Sequence, residues 1–285
     1  MFVIIGCLVV VGSVAGGFII EGGHILVLMQ VVEFIIIGGA AIGALLISTP
    51  AKLLKKIVRR VLGSFKGSNL TSQVYLDLLK MMYEIFQIGQ KEGFIALESH
   101  IENPEKSSVF SKYPNFLSQR HLLSFMADTI RLVLIGGVSP HEIEALMDTD
   151  IETHHQEGSK PGMILQKMGD SMPGLGIVAA VLGIVITMQA INGPPEQVGH
   201  KVAVALVGTF IGILLSYGFI QPLATNIDLA HEEETRIFEV IKAGLISFSK
   251  GFNPLISVEF ARRTIFSDYR PTFQQMEALV KGKKQ

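Results

Sequence analysis

A carboxylate or an imidazole inside an apolar layer is costly and marks chemistry there, so the ionisable residues within this chain's apolar runs carry the most information. Residues 171–191 and 202–222 contain none. Glu33, near the start of a run over residues 31–49, is the one acid inside such a run, and its place suits an interfacial residue better than a relay. If ions cross between these helices, a partner must bring the carboxylate. The two charge-free runs carry something else, a pair of stripes of small and hydroxylated residues. Pro173, Gly176, Ala180, Gly183 and Thr187 recur at helical steps, as do Ala205, Gly208, Thr209, Gly212 and Ser216, so each set shares one helix face. Small residues let membrane helices approach closely. Thr187 and Thr209 add hydroxyls to those faces, although a threonine in a helix also bonds its own backbone carbonyl.

Pro173 and Pro222 stand at the same end of these runs. Proline withdraws a backbone donor and kinks or ends a helix, so the pair reads either as helix punctuation or as hinges. Gln90, Lys91, Glu92 and Glu98 form a compact mixed-charge surface around a turn at Gly93, a pattern that is ordinarily only solvated. His141, His154 and His155 lie near Glu144, Glu152 and Glu157, but adjacent histidines point to different sides of a helix and no second ligand cluster accompanies them, so no metal is expected. A phosphate-binding glycine loop, a nucleophile elbow and a zincin motif are all missing from the sequence. No enzyme activity and no cofactor are called for.

The elements that must position these residues follow from composition. Of 285 residues, 49% are hydrophobic and the mean hydropathy is +0.46, too apolar for an ordinary soluble domain. The net charge of −1 hides a strong segregation of charged segments from apolar ones. The basic residues form no extended stripe with aromatic partners, which excludes a nucleic-acid function. Cys7 lies in an apolar run and, being the single cysteine, has no intramolecular disulfide partner. Spanning helices of roughly 20 residues fit residues 2–20, 31–49, 171–191 and 202–222. Lys52, Lys55, Lys56, Arg59, Arg60 and Lys66 follow the second span, whereas residues 21–30 hold no Lys or Arg. The positive-inside rule then places both long charged segments and both termini in the cytoplasm, and both short loops outside.

The expected class is therefore an all-α membrane protein with four transmembrane helices and a large helical cytoplasmic domain. Residues 1–49 form a transmembrane hairpin, 50–170 a cytoplasmic helical domain, 171–222 a second, pore-facing hairpin, and 223–285 a cytoplasmic helical region. Within the cytoplasmic parts, Val74, Leu78, Met81, Met82 and Ile85 mark an amphipathic helix, and residues 119–135 mark another. Ser139-Pro-His-Glu142 reads as a capping box that starts a helix through Ile143, Leu146 and Ile151. The fourth span is expected to continue as a helix, with Glu232 and Arg236 paired along it, and the tail at residues 281–284 to be exposed.

Five stretches together resemble the MotA flagellar stator branch of the MotA/TolQ/ExbB proton-channel family over nearly the whole chain. They are Gly169-Asp-Ser-Met-Pro-Gly-Leu-Gly-Ile-Val-Ala-Ala180, Val207-Gly-Thr-Phe-Ile-Gly-Ile-Leu-Leu-Ser-Tyr217, Glu142-Ile-Glu-Ala-Leu-Met147, Leu97-Glu-Ser-His-Ile-Glu-Asn-Pro104 and Val258-Glu-Phe-Ala-Arg-Arg-Thr-Ile-Phe266. The resemblance implies a flagellar motor stator subunit of the bacterial inner membrane that turns proton flow into torque. It implies a pentamer of this chain around a MotB-type single-span subunit, whose aspartate would supply the missing carboxylate. By the same resemblance Thr209 lines the ion path, with Ala180 and Thr187 on the facing span, and Pro173 and Pro222 couple protonation to shape change. Glu98 would face the rotor protein FliG. The family's usual arginine is Gln90 here, which leaves Lys91 for the positive role. Sodium-driven relatives are similar but carry a threonine at the place of Ala180, and a methyl group offers Na⁺ no oxygen ligand, so protons are expected. An ExbB/TolQ-type energy transducer and a structural membrane scaffold are the alternatives.

Overall fold

In the computed structural model, which describes residues 2–67 and 70–280, every regular element is a helix. The order is α1 (Phe2–Ile20), α2 (Ile25–Leu28), α3 (Val31–Ser48), α4 (Ala51–Ser64), α5 (Ser72–Glu92), α6 (Glu98–Glu102), α7 (Pro114–Leu117), α8 (Arg120–Ile135), α9 (Pro140–Met188), α10 (Pro195–Leu215), α11 (Gln221–Ser249), α12 (Pro254–Thr264) and α13 (Phe273–Val280). Four stretches among these residues are long and apolar enough to cross a membrane, Phe2–Ile20, Ile25–Ser48, Pro140–Met188 and Pro195–Ser249, and each overlaps one of the expected spans, the last two being much longer than expected. The expected all-helical membrane class is borne out. The tail at residues 281–284 lies outside the described residues.

Two compact units divide the chain: residues 2–67 with 158–230, and residues 70–157 with 231–280. In the first, α9 and α10 lie backbone to backbone because their facing residues have almost no side chain. A Cβ built at Gly176 would come within 2.8 Å of the Gly208 carbonyl oxygen, and one at Gly212 within 2.8 Å of the Gly176 Cα. Farther along, a Cβ at Gly183 would meet that of Ala205 at 2.7 Å. The two small-residue stripes therefore face each other. Ile37 of α3 joins Ala179, Val207 and Ile211 in a buried cluster, against which Val27 and Leu28 of the short α2 also pack. The outer faces stay apolar and exposed, with Phe2 and Ile20 of α1 each 86% accessible, as suits a lipid-facing surface.

The second unit has an ordinary hydrophobic core. Tyr75, Leu79, Met81, Met82, Ile85 and Phe86 of α5 are fully buried, and Phe86 stacks on Phe248 with ring centroids 4.6 Å apart. The capping box forms as read: the Ser139 N–H donates to Glu142 Oε2 at 2.7 Å, and the Glu142 N–H donates to Ser139 Oγ at 3.3 Å. Ile143 and Ile151 face the core, but Leu146 is 53% exposed, with Met147 taking the inward place. Arg236 does not pair with Glu232. Its guanidinium lies 4.0 Å from the centre of the Phe266 ring, a stacking that the partly apolar surroundings favour over a solvated ion pair. His154 packs on Phe238 at 4.4 Å and near His231 at 5.6 Å. Burial, then the neighbouring His231 and His121, hold its pKa below the usual histidine value of 6.5.

Two outcomes follow. Gly212→Val drives a branched side chain into α9 and lowers stability by about 1–3 kcal/mol, read by thermal unfolding of the purified protein in detergent. For His154, the folded state resists protonation while the unfolded chain accepts it, so its contribution is complete above pH 6.5 and is lost as pH falls through that value toward the lowered one. His154→Gln flattens that part of the stability profile.

Candidate functional site

The close α9–α10 contact decides which polar groups can act. Thr187 is fully buried, and its hydroxyl donates to the Gly183 carbonyl oxygen one turn back at 2.8 Å, which engages its proton within its own helix. Thr209 differs. It is half-buried, and its hydroxyl has no hydrogen-bond partner among the described residues. Ala180 is 7% exposed and its backbone nitrogen lies against Gly208, the residue before Thr209. The contact thus brings Thr209 and Ala180 to one level of the helix pair, with Thr187 two turns farther along α9.

Neither proline ends its helix. Pro173 sits inside α9, where it has no N–H to offer the carbonyl of Gly169, four residues earlier. That carbonyl is bonded from the other helix, because Ser216 Oγ donates to Gly169 O at 2.7 Å. Ser216 is fully buried, and its oxygen accepts from Gln221 Nε2 at 3.1 Å. The same Gln221 nitrogen donates to Asp170 Oδ1 at 2.9 Å, and Gln166 Nε2 reaches that carboxylate oxygen at 3.1 Å. Pro222 has its own consequence. Residues Ser216–Ile220 just before it form a π-helical turn in which the Gln221 N–H bonds the carbonyl of Ser216, five residues back. A widened turn of this kind relieves the clash of a proline ring with the preceding carbonyls. The carbonyl freed at Pro173 and the π-helical turn before Pro222 are therefore joined through Ser216 and Gln221.

In the second unit, α5 ends at Gly93, whose φ of +85° favours glycine. Gln90, Lys91, Glu92 and Glu98 are exposed there, and none has a hydrogen-bond or ion-pair partner among the described residues. Beside them Ile95 is 81% accessible. An exposed apolar tip ringed by uncommitted charges can dock another protein.

Sequence reasoning passed over the Ser216 bond and the burial of Glu33. A proline within a membrane helix always frees the carbonyl four residues back, so a hydroxyl on the facing helix was the signal to seek. Glu33 is only 5% exposed, with its Oε2 inaccessible and unpartnered.

Comparison with known proteins covers most of the chain. Residues 4–93 match the family model "Motility protein A N-terminal", and residues 118–240 match the "MotA/TolQ/ExbB proton channel family". Motility protein A of Salmonella typhimurium is 41% identical over 282 residues, 99% of this chain and 96% of that protein. The Escherichia coli Motility protein A is 40% identical over 284 residues, with 100% and 96% covered. The structure of C. jejuni MotAB aligns with a TM-score of 0.76 at 22% identity, over 93% of this chain and 96% of that one. The flagellar MotAB stator complex from Bacillus subtilis gives 0.74 at 23%, over 95% and 98%. At these identities the structural likeness speaks to the fold.

Ser216→Ala leaves the Gly169 carbonyl buried without a donor and costs about 1–3 kcal/mol. In a Pro173→Ala background the restored N–H takes that carbonyl, so the same substitution costs less. A double-mutant cycle on thermal unfolding reads the difference as a coupling of about 0.5–3 kcal/mol.

Proposed function

The chain belongs to the motility protein A branch of the MotA/TolQ/ExbB proton channel family, and from that premise we propose how its parts do the work. It is a flagellar motor stator subunit within a proton-conducting complex, and it is not an enzyme. The match of residues 4–93 to the motility protein's own N-terminal model disfavours the energy-transducer alternative, and the family's channel activity disfavours a passive scaffold.

Its partner is a MotB-type single-span subunit, encircled by a pentamer of this chain in the bacterial inner membrane, with both termini in the cytoplasm. The observation that carries the need for a partner is the lack of any carboxyl, imidazole or amine on residues 171–191 and 202–222, on which the small-residue stripes lie. A proton path beside these helices needs a titrating group from elsewhere. The partner's membrane carboxylate supplies it next to Thr209, whose hydroxyl is uncommitted, with Ala180 and Thr187 on the facing helix. The methyl of Ala180 offers no ligand to Na⁺ and leaves the path to protons.

Protonation of that carboxylate removes a charge from a low-dielectric site and changes how α9 and α10 pack against the partner. Pro173 and Pro222 make those helices bendable at the Ser216 bond, and the change passes along α9 and α11, which continue in sequence into the second unit. There Lys91 and Glu98 meet charges of opposite sign on the rotor protein FliG, and Gln90 contributes a neutral hydrogen-bonding group.

Deletion of the gene yields cells that build flagella but do not swim, seen by flagellar staining and microscopy. The wild-type gene restores swimming, and Thr209→Val and Pro173→Ala restore it poorly. Normal swimming in a deletion strain without a second stator rejects the assignment. Glu98→Lys combined with Lys91→Glu lowers swimming speed while proton flux in vesicles is unchanged, which separates the rotor contact from the ion path.

A further inference from the structure

A stripe of small residues by itself only lets helices approach, but this one holds a carboxyl. Glu33 of α3 is 5% exposed, and its Oε2 is inaccessible and without any hydrogen-bond partner. That oxygen occupies the notch created by the missing side chain of Gly208: a Cβ there would lie 2.7 Å from Glu33 Oε2, 3.1 Å from the Ala179 Cβ and 3.1 Å from the Ala180 nitrogen. Its position near the start of α3 suggests the membrane surface, yet its neighbours lie well inside their spans. Ala180 is close to the middle of the run 171–191, and Gly208 adjoins Thr209. The α2 helix explains the discrepancy, since Val27 and Leu28 pack on the cluster of Ile37, Val207 and Ile211, so the chain before α3 does not mark the outer boundary.

We infer that Glu33 is a second proton-binding residue of the ion path, in series with the carboxylate of the partner subunit. This rests on the proton-conducting reading above. A buried acid that serves only the fold is tied down by hydrogen bonds or an ion pair, whereas Glu33 has neither. No hydrogen bond or ion pair fixes its carboxyl in place. No acid, base or histidine faces it from residues 171–188 of α9, from residues 202–215 of α10 or from α2, and α3 has no other ionisable side chain; His24 is the nearest in sequence. In each step one O–H bond forms as another breaks. A proton from water adds to the Glu33 carboxylate, then leaves it for the partner's carboxylate, and no electron is transferred.

The test uses the complete complex with its single-span partner, reconstituted in vesicles of phosphatidylethanolamine and phosphatidylglycerol, with potential-driven proton uptake followed by an internal pH dye. The wild-type complex conducts, and removing the partner's carboxyl abolishes the flux. Glu33→Gln is nearly isosteric but cannot carry a proton, and it lowers the flux roughly 100-fold, the low end of what a positioned proton donor contributes. Glu33→Asp keeps part of it. Infrared difference spectra show a titrating carboxyl band that disappears in Glu33→Gln, a signal that a packing role does not produce. Wild-type flux in Glu33→Gln overturns the inference and leaves the stator reading standing, while a silent wild-type complex of intact assembly removes both. Should Glu33→Gln fail to assemble, the band must shift in Glu33→Asp, and an unchanged spectrum overturns the inference.

Discussion

Hydrocarbon offers a peptide group no water, so a carbonyl freed inside a membrane helix must find its donor within the protein. Pro173 frees the carbonyl of Gly169, and the hydroxyl of Ser216 satisfies it at 2.7 Å. That one bond sets much else. It requires α9 and α10 to approach closely, which only the residues facing each other at Gly176, Gly208 and Gly212 permit. It also fixes Ser216 at the first position of the π-helical turn before Pro222. The carbonyl that one proline frees is thus satisfied from the turn that precedes the other.

The same close approach divides the polar groups into spent and available ones. The Thr187 hydroxyl donates a hydrogen bond to the Gly183 carbonyl, whereas Thr209 keeps its hydroxyl uncommitted. Gly208 serves twice, as a contact point for α9 and as the notch in which the Glu33 carboxyl sits. A glycine in a membrane helix is usually explained by packing alone, and here the space it leaves is filled by the most polar side chain of the spans.

The second unit obeys different physics. Its core of Tyr75, Phe86, Phe110 and Met126 is held by ordinary burial, and its charges are arranged for water. Lys242 bridges Asp148 and Glu239, both at 2.6 Å, while Lys91 and Glu98 near Gly93 remain unspent.

Much of this was legible in the residues. The spans follow from apolar length, the capping box at Ser139 from local backbone chemistry, and the missing carboxyl from simple inspection, because each depends on residues close together in sequence. The stripes were also visible, since helical periodicity fixes which side chains share a face. Tertiary structure alone decided what those faces meet. Whether glycines at 176, 208 and 212 lined a path or touched each other, whether Arg236 chose Glu232 or the Phe266 ring, and whether Glu33 lay at the surface or deep among helices all depend on contacts between distant segments. Sequence position gives depth only along a single straight helix, and the packing of α2 on α10 breaks that relation for Glu33.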